Sequence, residues 1–258
     1  MIDASNAINW RHPLNRGLLV RYRCLPHQQR GAYWRDLCRR GAALAIIGGP
    51  NWGGGRGRRG GHGCLAFDGV DESMAGEVPP STLVTVAFWY LVPASFGGIP
   101  VPLVQGNDAF NSGVWDFGFY HSGSNLVTHF QAASSFNISL SGLGGTWVHI
   151  VLVRKGTDTF ARAYTNGTQN VTEGIGSHTL TNTYALRTLT VATTFAVGPL
   201  DDICGWNRAL SASEVASLYR AQSSQRDPTL NWRPRRRAMF QDAGVSPFFF
   251  QRYVLGRR

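Results

Sequence analysis

The chain has 258 residues, 43% of them hydrophobic, with 31 Gly, eight Trp and a formal net charge of +10. That length suits one large all-β domain or two small ones, and no apolar run approaches the ~18 residues needed to span a bilayer. Residues 1–16 are polar and lack the apolar stretch of a secretory leader, so export by that route is not expected.

The charge is spread unevenly. Residues 1–63 hold eleven Arg against Asp3 and Asp36, residues 64–219 hold four Arg and Lys155 against eleven carboxylates, and residues 220–258 hold nine Arg against Asp227 and Asp242. An acidic middle therefore lies between two basic ends. Lys155 is the sole lysine, so nearly all the positive charge is guanidinium, which forks onto carboxylates and phosphates and stacks on aromatic rings.

In chain order, residues 17–23 and 42–47 read as strands, with a turn or helical fragment from Tyr33 to Leu37 between them. Residues 53–63 are a glycine- and arginine-rich loop. Within it residues 55–60 satisfy the Gly-x-Gly-x-x-Gly spelling, but that motif must follow a strand and open a helix, and here a strand at 64–67 follows. An Arg-Gly-Gly type of nucleic-acid segment is the sharper reading of this loop, and a solvated loop the plainer one. Residues 83–91 form a long strand whose Val84, Val86, Phe88 and Tyr90 alternate with Thr85, Ala87 and Trp89, both sets apolar enough for burial on two faces. Strands follow at 114–120 and 126–130 around a turn at 121–125.

In residues 145–154 the alternation places Trp147, His149 and Val151 on one face and Val148, Ile150 and Leu152 on the other. With no partnered nucleophile evident, His149 reads as a packed strand histidine and not as a catalytic base. Residues 160–167 end in Asn166-Gly167, the strongest short hairpin signal, because both central residues must take positive φ. Residues 199–219 read as a buried last strand running into a short helix. Ser211 and Glu214 form its capping box, and Val215, Leu218 and Tyr219 its apolar face.

Four cysteines, Cys24, Cys38, Cys64 and Cys204, have no zinc-type spacing and read as free thiols, with a Cys24–Cys38 bridge as the alternative. Asn137, Asn166 and Asn170 spell glycosylation sequons, which without a leader are expected to be chance.

Several of these blocks together resemble a laminin G-like, concanavalin A-like lectin/glucanase jelly roll, of the kind found in uncharacterised bacterial and bacteriophage proteins. They are the Phe67-Asp-Gly-Val-Asp71 turn, the Trp147-x-His149-x-Val151 strand, the aromatic residue before Asn166-Gly167, and the closing strand, turn and helix after Pro199. The resemblance implies an all-β, two-sheet antiparallel jelly-roll sandwich with one short C-terminal helix and an extended basic tail. It places the jelly roll at 17–220, between an arm at 1–16 and an Arg/aromatic-rich arm at 221–258. It also implies a structural Ca²⁺ with Asp68, Asp71, Asp201 and Asp202 as ligands; the plainer reading is that such acids accept backbone hydrogen bonds in turns.

Hydrolysis on this fold needs two carboxyls ~5 Å apart, usually from a Glu-x-Asp-x-Glu strand. None of the four glutamates Glu72, Glu77, Glu173 and Glu214 lies in that pattern, so the expected function is binding and not catalysis. The first reading is a structural or attachment module of a larger assembly, a decoration or adhesion protein of a virion surface. Such a module is assembled in the cytoplasm or placed outside a cell without a leader. Its expected docking residues are Trp232, Arg233, Arg235, Arg236, Arg237, Phe248, Phe249, Phe250 and Tyr253, and its expected partners are proteins, including further copies of itself. The second is a free lectin that stacks surface glycans on Trp115 or Tyr120. A third, weaker reading is nucleic-acid binding through the Arg-rich ends.

Overall fold

The computed structural model describes residues 7–24, 33–38, 43–49, 51–52, 64–68, 71–78, 84–94, 100–106, 115–130, 134–154, 160–174, 184–187, 197–224 and 227–231. The strands are β1 (Ala7–Ile8), β2 (Leu18–Tyr22), β3 (Tyr33–Trp34), β4 (Leu44–Ile47), β5 (Asn51–Trp52), β6 (Leu65–Asp68), β7 (Ser73–Val78), β8 (Thr85–Leu91) and β9 (Pro100–Gly106). They continue as β10 (Trp115–Ser122), β11 (Asn125–Phe130), β12 (Ser134–Ser139), β13 (Trp147–Arg154), β14 (Phe160–Thr165), β15 (Thr168–Gly174), β16 (Tyr184–Arg187), β17 (Val197–Trp206) and, after helix α1 (Ala212–Ser223), β18 (Leu230–Asn231).

One sheet runs β12-β11-β10-β9-β16-β7-β4-β3 and the other β15-β14-β13-β8-β17-β6-β5, with β2 also pairing to β17. Pairing is antiparallel throughout the described residues, as a jelly-roll sandwich requires. The sheets face each other across one core. Val86, Phe88 and Tyr90 from β8, Val148, Ile150 and Leu152 from β13, and Phe119, Leu126 and Ile138 from the opposite sheet bury there. These are the alternating sets that the sequence puts on one face of each strand.

A second core covers the outside of the β8–β13–β17 sheet. Ala87, Val151, Val153, Cys204 and Trp206 pack there under Val215, Leu218 and Ala221 of α1 and under Ile8 and Leu14 of the N-terminal segment. Both faces of β8 and β13 are buried for this reason. The helix begins at Ser211, whose side chain accepts from the Glu214 backbone N–H while Glu214 reaches back to the Ser211 N–H. Tyr219 stacks on Trp89 at 5.8 Å between ring centroids and lies 6.0 Å from His149. His149 is thus a packed strand histidine, buried under the helix.

The β14–β15 hairpin turns through Asn166 (φ 51°) and Gly167 (φ 81°). A Cβ at Gly167 would stand 3.1 Å from Tyr219 Cβ and 3.2 Å from Ala216 Cα, so close docking of α1 requires glycine as much as the turn does.

Two details differ from the sequence reading. Tyr33–Trp34 is an edge strand and not a helical fragment, because Trp34 must reach the core, where it is buried 6.1 Å from the Tyr22 ring. The packed body runs outward past 17–220, since Ile8, Leu14, Asp227, Thr229 and Leu230 are all buried against it. All four cysteines are free and buried; burial pushes the Cys64 thiol up to about 11 and raises the other three as well. The Gly/Arg loop at 53–63 lies outside the described residues.

Candidate functional site: a polar corner where both ends leave

β2 reads Leu-Leu-Val-Arg-Tyr and every one of its residues is buried. A guanidinium in such a strand must find charged partners, since an unpaired buried charge is prohibitively costly. Arg21, 1% exposed, finds them across the whole length of the chain. Its Nε and Nη2 donate to the two carboxylate oxygens of Asp202 at 2.7 and 2.8 Å, Nη2 also donates to Asp227 at 2.6 Å, and Nη1 donates to Thr229 Oγ1 at 2.6 Å. Arg23 adds a longer contact to Asp227 at 3.5 Å. The bidentate fork on Asp202 is the strongest geometry available to an Arg–carboxylate pair.

Local backbone places each partner. Asp202 sits at a break in the β17 pairing, between Asp201 and Cys204, and takes φ 51°. That break lies where β17 exchanges β6 for β2 as its neighbour. Asp227 holds its own turn by accepting from the Thr229 N–H at 3.0 Å and from the Thr229 hydroxyl. Asp36 ties the next segment to the same strand, accepting from the Arg21 N–H at 2.8 Å and from the Cys38 N–H at 2.9 Å. Burial pushes the Asp227 carboxyl up, but the Arg21 guanidinium beside it prevails and holds it below the usual carboxylate range. Burial likewise opposes the Arg21 charge, and Asp202 and Asp227 outweigh it.

This network fixes the exit of both chain ends. β18 follows Thr229 directly and pairs antiparallel with β1, Ala7 opposite Asn231 and Ile8 opposite Leu230. Asn15, buried, clamps the ribbon by donating its amide to Asn9 O at 2.8 Å and Thr229 O at 2.7 Å. Residues 1–6 and 232–258 therefore begin from neighbouring positions. The second of these segments carries seven Arg against Asp242 alone. Beside the ribbon lies a groove of about 590 Å³ between Pro13 and Leu14, the Ser217–Ala221 side of α1 and Pro228.

The residues singled out from the sequence distribute as follows. Trp232, Arg233, Arg235, Arg236, Arg237, Phe248, Phe249, Phe250 and Tyr253 lie outside the described residues. Trp115 and Tyr120 are on β10, where their backbones pair with Gly106 and with Val127 and Pro100. Asp68 and Asp71 are exposed, while Asp201 and Asp202 are buried. Both Asp202 oxygens are taken by Arg21, and Asp201 accepts from the Cys24 N–H at 3.1 Å. Among the described residues no three His, Cys, Asp or Glu gather as a cation site. With a guanidinium already on both of its oxygens, the Asp202 carboxylate does not fit a calcium ion, which needs six or more oxygen ligands. The Asp68 N–H donates to Glu72, and burial foremost raises the Glu72 carboxyl.

Arg21, Asp227 and Thr229 were not signalled by any motif. The available sign was Arg21 itself, a lone cation inside an otherwise apolar strand.

The class of protein can now be stated. A model of the concanavalin A-like lectin/glucanases superfamily, in its laminin G form, matches residues 68–216, more than half the chain, and the chain belongs to that family. Solved structures share the fold at low identity. The binding domain of botulinum neurotoxin DC, in complex with rat synaptotagmin II, is 10% identical, with a TM-score of 0.61 over 82% of this chain and 53% of that one. Trypanosoma rangeli sialidase in complex with sialic acid is 16% identical, with a TM-score of 0.58 over 80% of this chain and 33% of that one. The binding domain of Paraclostridial Mosquitocidal Protein 1 is 16% identical, with a TM-score of 0.57 over 81% and 53%. The chain thus spans between a third and about half of the length of these proteins. No curated protein matches it.

Proposed function

We propose that this chain is a non-enzymatic attachment module, anchored in a larger assembly by its basic flanking regions, the Arg-rich segment 232–258 above all, while the sandwich faces outward for recognition. The observation that carries this reading is the β1–β18 ribbon, from which both ends start side by side. An acidic partner surface can then engage the seven Arg of residues 232–258 where they leave the ribbon. A virion surface, built from many copies with lysis as the release route, suits a module of this kind. So does docking of Trp232, the Arg233–Arg237 run and Phe248–Tyr253 on a neighbouring copy or partner.

Burial of the acids at the corner also speaks for binding over hydrolysis. Asp202 and Asp227 are spent on Arg21 and shielded from any substrate. Glycan recognition is the second part of the reading, favoured by membership of a lectin-type family and by neighbours described in complex with sialic acid and with SialylT. Trp115 and Tyr120 remain proposed platforms on β10.

The test is a chain ending at Asn231, so that the corner stays whole, compared with the full chain by light scattering and thermal melting. The reading expects equal melting temperatures, with self-association or particle incorporation only for the full chain. Equal masses and equal incorporation would overturn it.

A further inference from the structure

Residues 10–18 line a small cavity of about 270 Å³. Its wall brings together Trp10, Arg11, His12, Asn15 and Arg16, and no carboxylate of a described residue lines it. Trp10 is 47% exposed, and Arg11 and Arg16 are exposed as well. An accessible indole is unusual in a fold that buries Trp34, Trp89 and Trp206. An indole beside two guanidiniums suits a ligand with one flat apolar face and one anionic group.

The wall is built before any ligand arrives. The His12 N–H donates to Asn9 O at 2.9 Å, the Asn15 N–H to His12 O at 3.0 Å and the Asn207 N–H to Gly17 O at 3.0 Å. Arg208 Nε holds Arg16 O at 2.7 Å. Gly17 takes φ 74°, a left-handed conformation that glycine adopts without strain. His12 Nδ1 accepts from the Leu14 N–H at 3.3 Å, which leaves Nε2 as the donor of the neutral ring. Little ordering remains to be done on binding.

We infer that this cavity binds a single carboxylate-bearing sugar ring, with the apolar ring face on the Trp10 indole and the carboxylate forked by Arg11 or Arg16. Its volume falls below the ~300 Å³ at which drug-sized pockets begin, which matches one ring and not an oligomer. A nucleic-acid strand calls instead for a groove that follows ~4 or more nucleotides. The inference rests on the glycan-recognition part of the proposed function and needs neither chain end.

The experiment titrates the full chain and each variant by isothermal calorimetry with methyl β-D-glucuronide and with methyl β-D-glucoside, which differ only in a carboxylate against a hydroxymethyl group, and in the parent also follows the Trp10 indole N–H by NMR. The glucuronide is expected to bind at least about tenfold more tightly, the increment of one charge-assisted hydrogen bond. Trp10→Ala should abolish binding of both sugars. The Arg11→Ala/Arg16→Ala double variant should bring the glucuronide down to the glucoside, and all variants should keep the parent melting temperature. Equal binding of the two sugars, or undiminished binding by Trp10→Ala, overturns the inference. So does inorganic sulfate binding as tightly as the glucuronide, which marks a bare anion site, or a thymidine oligonucleotide binding more tightly than either sugar. Light scattering on the same samples reads the anchoring proposal separately.

Discussion

The inter-sheet core and the polar corner of this molecule are built by opposite means. Between the sheets, burial is almost wholly apolar, with Phe88 and Phe119 edge-to-face at 5.2 Å and Val, Ile and Leu around them. At the outer corner an ion network, an amide clamp and a two-residue ribbon do the joining. Apolar contact is non-directional and tolerates repacking, so the sandwich core sets compactness more than it sets any one position. Forked hydrogen bonds are directional, and at the corner they fix where the chain ends emerge. The lesson is that position, where function needs it, is specified by paired polar groups.

The comparison can be broken most severely at the network. Asp227→Ala leaves Arg21 buried with half its counter-charge and is expected to cost about 3–5 kcal/mol in urea unfolding. Arg21→Met, which strands two carboxylates, should cost a similar amount. Leu152→Ala in the inter-sheet core should cost about 2–5 kcal/mol by cavity formation, yet leave the ribbon in place, which limited proteolysis near residues 7–10 and 227–231 can report.

Acidity sharpens the contrast. The Asp227 carboxyl is held below its unfolded value by Arg21 against the effect of burial. Its contribution is therefore fully present above the unfolded pKa of ~3.9 and is lost as pH falls through the lower folded value. The stability gap between the parent chain and Asp227→Asn should close as pH drops below about 4. Glu72 has the opposite sign: burial raises it, so its contribution is present below ~4.3 and lost as pH rises through its folded value. A gap that stays constant from neutral to strongly acid pH would contradict the role given to Asp227.

Smaller effects belong to the helix and the acid turn. Ser211→Ala removes half of the capping box and should cost about 1 kcal/mol in thermal melts. Calcium or a chelator should leave the melting temperature unchanged, because Arg21 already occupies the Asp202 carboxylate.

The sandwich was legible in the sequence wherever strands were long and apolar. The alternation in β8 and β13, the Asn166-Gly167 hairpin and the Ser211 cap all follow local rules, and each is present in the structure. Strands of two residues, such as β1, β3, β5 and β18, were not readable, since two residues carry no periodicity. The corner was hidden for another reason. Arg21 meets Asp202 and Asp227 at separations of 181 and 206 residues, and no motif connects positions brought together only by the folded topology. Asp202 stands out in the sequence only as one acid of a pair, and its bond to Arg21 is visible only in the folded chain.

Hydrogen exchange on the full chain tests the central claim most directly. If the Arg21 network locks both ends to the body, amides at residues 7–10 and 227–231 exchange with similar protection in the parent. In Asp227→Asn they lose it together, while β13 stays protected. Independent exchange of the two segments, or protection unchanged by Asp227→Asn, would contradict the account.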